Sequence, residues 1–211
     1  MENVQQTDNK DFMTYAKEAI GFSKLPINIK KLNENAVIPS YAYDGDVGMD
    51  LTAIDVEYDR EKDVYIYHTG LAIETDKHYG VFLFPRSSNR KTDAYLCNHV
   101  GIADTAIYRG EIILCFKNRT SLNVLAMIEM NKEFLSLMGD NMSEFNPQKV
   151  KERVFSRRDD IMNNPMAFAP YKVGDRIAQM VVLPYPNVKI NVVGDLTDTE
   201  RGSNGFGSTG N

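Results

Sequence analysis

Five short polar clusters hold most of the residues that could do chemistry in this 211-residue chain. They are Gly48-Met49-Asp50-Leu51, Pro85-Arg86-Ser87-Ser88, the run NHVGIADTAIYRGE from Asn98 to Glu111, Gly174-Asp175-Arg176-Ile177-Ala178-Gln179, and RGSNGFGSTG from Arg201 to Gly210. Each falls at the end of a predicted strand. Singly each reads as a turn with a polar residue, because glycine, serine and aspartate are what turns select. Their residue types nevertheless suit a phosphate-bearing substrate, with hydroxyls and amides at Ser87 and Ser88 for phosphate oxygens. Other catalytic signatures are missing: there is no G-x-x-x-x-G-K-[ST] loop, no H-E-x-x-H and no G-x-S-x-G elbow. His68, His78 and His99 are too scattered to suggest a metal site, so a metal would arrive on a phosphate substrate.

The elements that must position these clusters are mostly strands. Between residues 26 and 120 the runs INIKKL, LTAIDVEY, DVYIYHTGLAIE, YGVFLFP and GEIILCFKN are rich in Val, Ile, Tyr and Phe and are broken by turn residues. A further β stretch, DRIAQMVVLPYPNVKINVVGDL, runs from 175 to 196. Many short strands with turns between them predict an all-β jelly roll or barrel. Residues 1–25 read as an extension with one short helix, on which Phe12, Ala16, Ala19 and Ile20 share a face and Gly21 is the stop. Residues 121–170 read as a helical insertion. There Met127, Met130, Phe134 and Leu137 fall on one helical face, and Asn146-Pro147 opens a second helix bearing Val150, Val154, Phe155 and Ile161. The expected organisation is an extension (1–25), a β domain (26–200) and a flexible glycine-rich arm (201–211).

Composition narrows the function class. With 29 acidic against 24 basic residues the net charge is −5, which disfavours binding to nucleic acid or to an anionic membrane. Cys97 and Cys115 cannot form a disulfide framework and read as buried or half-buried thiols in a reducing compartment. Neither a basic and apolar leader nor a span of about 20 apolar residues is present, so an intracellular, cytoplasmic protein is predicted, in the host cytoplasm if phage-encoded.

In this order the five clusters resemble the sequence motifs of the trimeric dUTPase family, including phage-type members with a helical insertion. The resemblance covers about 26–120 and 171–210, and PRSS, YRGE, GDRIAQ and RG-x-x-GFGSTG carry it. It implies a homotrimer whose subunits share each active site, hydrolysing dUTP to dUMP and pyrophosphate. It implies Mg²⁺ held by the three phosphates and water, with no dedicated protein cage. By the same resemblance Ser87 and Ser88 contact phosphate oxygens, Gln179 lies near the α-phosphate, and Arg86 touches substrate or holds Asp50 in place. Asp175 is taken as structural support. Asn98, Gly101 and Ile107 belong to the hairpin that surrounds uracil, Tyr108 lies under the sugar, and Asp104 activates the attacking water. In the arm, Phe206 stacks on uracil, while Arg201, Gly207 and Ser208 close over the γ-phosphate.

Two departures from the family pattern stand out. Asp46-Val47 replaces small residues before Gly48, and three residues rather than two separate Asp104 from Tyr108. Counted back from Tyr108, the catalytic slot holds Thr105; counted forward from Asn98 and Gly101, it holds Asp104. The forward count is favoured here, with the extra residue accommodated as a bulge. Two other functions remain in play. One is a dCTP deaminase or bifunctional deaminase–dUTPase of the same fold. The other is a regulatory scaffold that binds a protein partner through 121–170, an insertion whose plainer reading is a surface decoration or an extra trimer contact.

Overall fold

Alternating β-branched and aromatic residues set the strands, and the turn residues between them set their ends. The computed structural model describes residues 25–139, 146–200 and 202–203. Ten strands are found there: β1 (Asn28–Lys31), β2 (Met49–Thr52), β3 (Asp55–Asp59), β4 (Val64–His68), β5 (Leu71–Glu74), β6 (Tyr79–Pro85), β7 (Ala94–Leu96), β8 (Gly101–Ala103), β9 (Ile113–Asn118) and β10 (Arg176–Pro184). Two helices, α1 (Leu122–Gly139) and α2 (Pro147–Asn163), lie between β9 and β10. No helix among the described residues is long and apolar enough to cross a membrane. The short N-terminal helix expected within residues 1–25 lies outside the described residues.

The strands form two four-stranded antiparallel sheets, β2-β10-β6-β8 and β3-β4-β9-β7, with a β1-β5 ribbon beside them. This is jelly-roll-like, and no closed barrel forms among the described residues. The edge strands β7 and β8 have three residues each, too few to carry a ladder around into a barrel. DVYIYHTGLAIE becomes two strands because the chain turns at Gly70, whose φ is +67°. A side chain there would also run into Ile54 Cδ1 at 2.6 Å.

The β stretch expected to reach residue 196 stops at Pro184. Pro184 and Pro186 lack the amide that a ladder needs, and beyond them Val188, Ile190, Val192 and Leu196 are all at least 80% exposed.

Both sheets fill one core, by period-two alternation for Tyr65 and Tyr67 on β4, Leu114 and Phe116 on β9 and Val81 and Leu83 on β6, and with Ile177, Ala178 and Met180 on β10, where the register shifts between Arg176 and Ala178. The buried tyrosines also tie the return from the helices to the sheets. Tyr65 donates to Pro165 O at 2.8 Å, and Tyr67 donates to Tyr171 O at 2.9 Å while accepting from the Tyr171 amide at 3.0 Å. Burial raises both phenol pKa values, that of Tyr65 to about 12.

The helical insertion begins where serine and asparagine can cap it. Ser121 Oγ accepts from Val124 N at 3.3 Å, and Asn146 Oδ1 accepts from Gln148 N and Lys149 N at 3.0 and 3.1 Å. One of the apolar stripes of α1 faces inward. Leu122 and Ala126 are buried against Ile161 of α2 and Tyr58 of β3, whereas Met127 and Phe134 are exposed. The helix carries two apolar stripes, and the stripe containing Leu122 and small Ala126 allows the closer approach.

Candidate active site

The phosphate-type clusters meet because β10 lies between β2 and β6. Its ladder sets Gln179 opposite Asp50 on one side and Phe84 on the other, and Ala178 opposite Pro85. Gly48 is required by the same approach, since a Cβ there would sit 3.0 Å from Gln179 Cβ.

At this end Asp50 is buried and doubly paired. Its Oδ1 accepts from Arg86 Nε at 2.7 Å, and its Oδ2 accepts from Arg86 Nη2 at 3.3 Å and Arg176 Nη1 at 2.9 Å. Arg86 Nη1 also donates to Ser88 Oγ at 3.4 Å. Arg86 is extended, and the chain then enters a 3-10 turn, Ser87–Lys91, whose leading serine is exposed. The first amides of such a turn have no partner within it and are free to serve an anion. Tyr171 holds the turn from behind by donating to Asn89 Oδ1 at 2.8 Å. Asp175 shapes the approach to β10 by accepting from Lys172 N at 2.7 Å, next to Gly174 with φ +92°.

The third cluster forms a separate concavity. A cavity of about 260 Å³ is lined by Leu83, Asn98, Gly101, Ile102, Ala103, Asp104, Tyr108 and Glu111 through Ile113. Gly101 pairs with Leu83 across the ladder, and a Cβ at Gly101 would lie 3.1 Å from Leu83 Cβ and 3.4 Å from Asn98 Nδ2. The Tyr108 ring folds back over Gly110, where a Cβ would push the ring aside, and its hydroxyl donates to Glu111 O at 3.1 Å. Ile107 is exposed.

The extra residue between Asp104 and Tyr108 is not a strand bulge. β8 ends at Ala103, and the carbonyl of Asp104 accepts from both Ile107 N (2.9 Å) and Tyr108 N (2.8 Å), one helix-like turn. Beyond the ladder no cross-strand partner fixes the spacing, so a turn absorbs the residue more easily than a strand does. Within it the two candidate positions separate. Thr105 is buried, its hydroxyl 2.6 Å from that of Thr75, whereas Asp104 is exposed and lines the cavity.

Arg86, Ser87, Ser88 and Gln179 do not line this cavity. Within one chain, then, the structure gathers Asp50, Arg86, Ser88, Arg176 and Gln179 at one end and Asn98, Gly101, Asp104 and Tyr108 in another concavity. Arg201, Phe206, Gly207 and Ser208 lie outside the described residues.

Sequence reasoning missed three contributors. Arg176 shares Asp50 with Arg86, a pairing that only the β2–β10 register reveals. Glu111 accepts from the Gly70 amide at 2.7 Å and from His68 Nδ1 at 3.0 Å, and this contact raises the His68 pKa. Arg109 grips the turn that carries Asp104, and its sequence signal is its place in the YRGE segment. Cys97 and Cys115 are half-buried free thiols, each pushed up in pKa by burial.

The dUTPase family model matches residues 34–128 and 161–210, more than half of the chain. This chain belongs to the dUTPase family. The match leaves out residues 129–160, which fall within the α1–α2 hairpin. Among its relatives, the deoxyuridine 5'-triphosphate nucleotidohydrolase of Clostridium novyi is 32% identical over 86% of this chain and 96% of its own length. That of Alkaliphilus metalliredigens is 31% identical over 87% and 96%. A solved structure of the Staphylococcus bacteriophage 80alpha dUTPase, a point mutant with dUpNHpp, shares the fold with a TM-score of 0.57. It is 20% identical, covering 88% of this chain and 98% of that one.

Proposed function

We propose that this chain hydrolyses dUTP to dUMP and pyrophosphate by in-line attack of water on the α-phosphate. The observation that carries the reading is the cavity walled by the β8 main chain and Asn98, with the exposed carboxylate of Asp104 on its lining. Main-chain donors and acceptors at such a wall can pair with the edge of uracil and mismatch cytosine. Tyr108 at the same wall would crowd a 2′-hydroxyl. A water held by Asp104 forms the new O–Pα bond, its proton passes to the carboxylate, and the Pα–O bond to the β-phosphate breaks as pyrophosphate leaves. Ser87 and Ser88 with their turn, together with Gln179, receive phosphate oxygens, while Arg86 keeps Asp50 fixed beneath them.

The donor set fits a metal carried by the substrate. Asp50 is already engaged by two guanidinium groups, and no three His, Cys, Asp or Glu side chains converge among the described residues to hold an ion. Mg²⁺ would take its ligands from the phosphates and water, where it offsets their charge.

The separation of base-side and phosphate-side residues supports a homotrimer of about 72 kDa, in which one subunit's cavity faces another's phosphate-binding turn, with the 201–211 arm closing over both. A cytoplasmic enzyme fits this chemistry. The test is pyrophosphate release from dUTP, dCTP, dTTP and UTP, with ammonia release from dCTP followed in parallel. Release confined to dUTP supports the proposal, and ammonia from dCTP would reassign the chain as a deaminase.

A second reading attaches to the insertion. Val124, Met127, Ile128, Phe134 and Leu135 form an exposed apolar stripe along α1, which supports a protein contact through 121–170. Comparing the oligomeric mass and protein partners of the intact chain with those of a 121–170 deletion tests it.

A further inference from the structure

The turn that presents Asp104 has no ladder to hold it. Residues 104–108 lie beyond the end of β8, and the carbonyls of a single helix-like turn are left without partners inside it. One side chain collects them. Arg109 Nη1 donates to Thr105 O at 2.9 Å and to Tyr108 O at 3.1 Å, and Nη2 donates to Ala106 O at 3.2 Å. Nη2 also donates to Glu74 Oε1 at 2.5 Å, and Glu74 Oε2 accepts from Asn28 Nδ2 at 2.9 Å. The chain of contacts therefore runs from the β1–β5 ribbon through Glu74 and Arg109 to three carbonyls of the turn.

The Arg109–Glu74 ion pair is about half exposed on both sides and by itself would stabilise little. Its geometry matters more than its energy. A guanidinium has donors fixed in one plane and can serve three carbonyls and a carboxylate at once, whereas a lysine ammonium has three rotating donors at a single point. Thr105 complements the grip from inside, its hydroxyl against that of Thr75 and its carbonyl accepting from Thr75 N at 3.4 Å. Both holds act on the segment carrying the extra residue, which lies beyond the end of β8.

We propose that Arg109, anchored by Glu74, is a positioning residue that fixes the Asp104 turn for attack on the substrate, without touching substrate itself. This rests on the reading of Asp104 as the base for dUTP hydrolysis. The two ideas can be tested apart.

Arg109→Ala, Arg109→Lys and Glu74→Gln are compared with the unaltered full-length protein by two measurements. The first is amide hydrogen exchange at Ile107 and Tyr108, which reads the turn without any reaction. It should speed up by about tenfold or more in Arg109→Ala and less in Glu74→Gln, because opening the turn then costs less. The second is steady-state hydrolysis of dUTP with Mg²⁺. In Arg109→Ala, kcat should fall by about 10–100-fold, the scale of a misplaced catalytic group, while KM changes by less than about threefold. Arg109→Lys should recover little, and added ethylguanidinium should restore part of the kcat lost in Arg109→Ala, where sodium chloride at equal ionic strength does not. Unchanged exchange at Ile107 and Tyr108 overturns the clamp. Faster exchange with unchanged kcat, or a loss confined to KM, overturns the positioning role. An unaltered protein that does not cleave dUTP overturns the reading of function, while the exchange measurement still decides whether Arg109 holds the turn.

Discussion

Asp104→Asn and Thr105→Ala should separate by orders of magnitude, and the structure sets the size of each effect. Asp104 is exposed at the cavity, so Asn keeps shape and hydrogen bonding while removing the proton acceptor. Loss of a general base lowers turnover by roughly 10²–10⁴, or about 2.7–5.5 kcal/mol of barrier. Thr105 is buried, and its hydroxyl meets Thr75 Oγ1, which also donates to Tyr79 O at 3.1 Å. Thr105→Ala therefore removes one neutral hydrogen bond, worth about 1 kcal/mol, and leaves Thr75 a partner. Even if all of that appeared in the barrier, turnover would fall by only about fivefold. The assay is pyrophosphate release at saturating dUTP with Mg²⁺, paired with binding of a non-hydrolysable imido analogue, whose affinity should change little in either variant. A larger loss in Thr105→Ala than in Asp104→Asn would refute the assignment and make Asp104 a turn residue. Full activity in both would remove the general base from the mechanism.

Four further outcomes are expected. Asp50→Asn leaves the Arg86 guanidinium beside Arg176 without its anion, a loss of about 3 kcal/mol for a buried pair, so the thermal midpoint should drop by about 6–12 °C. Arg176→Ala removes a half-exposed partner and should cost under about 1 kcal/mol in the same thermal scan. His68 is held above its ordinary pKa of 6.5 chiefly by its hydrogen bond to Glu111, with the Glu57 and Asp55 charges adding to it. Its contribution is complete below that value and fades as pH rises through the folded one, so the stability gap between the unaltered protein and His68→Gln should be widest in acid and close with rising pH in denaturant titrations. Deleting 201–211 should leave the oligomer unchanged by light scattering and lower dUTP turnover by several orders of magnitude; near-normal turnover would reduce the arm to a linker.

Sequence by itself determined whatever is coded by neighbours along the chain. Period-two runs marked the strands, and the boundary of β6 at Tyr79–Pro85 matches its apolar run residue for residue. Asn146-Pro147 marked the start of α2, because capping needs only a side-chain oxygen and the amides of the first turn. The five clusters identified the family because each holds a short local geometry that few sequences satisfy. Tertiary structure decided what depends on distant partners. Periodicity marks stripes on α1 but not the stripe that meets Tyr58 and Ile161, and the buried one proved to be that of Leu122 and Ala126. Alternation continues past residue 184, but a ladder needs a donor that Pro184 lacks and a neighbouring strand. Whether Asp104 or Thr105 faces the cavity follows from Thr75, thirty residues away, drawing Thr105 inward. The double claim of Arg86 and Arg176 on Asp50, and the grip of Arg109 on three carbonyls, exist only once β2, β5, β8 and β10 are brought together. Hydrogen bonds act over about 3 Å of space, whatever the separation along the chain.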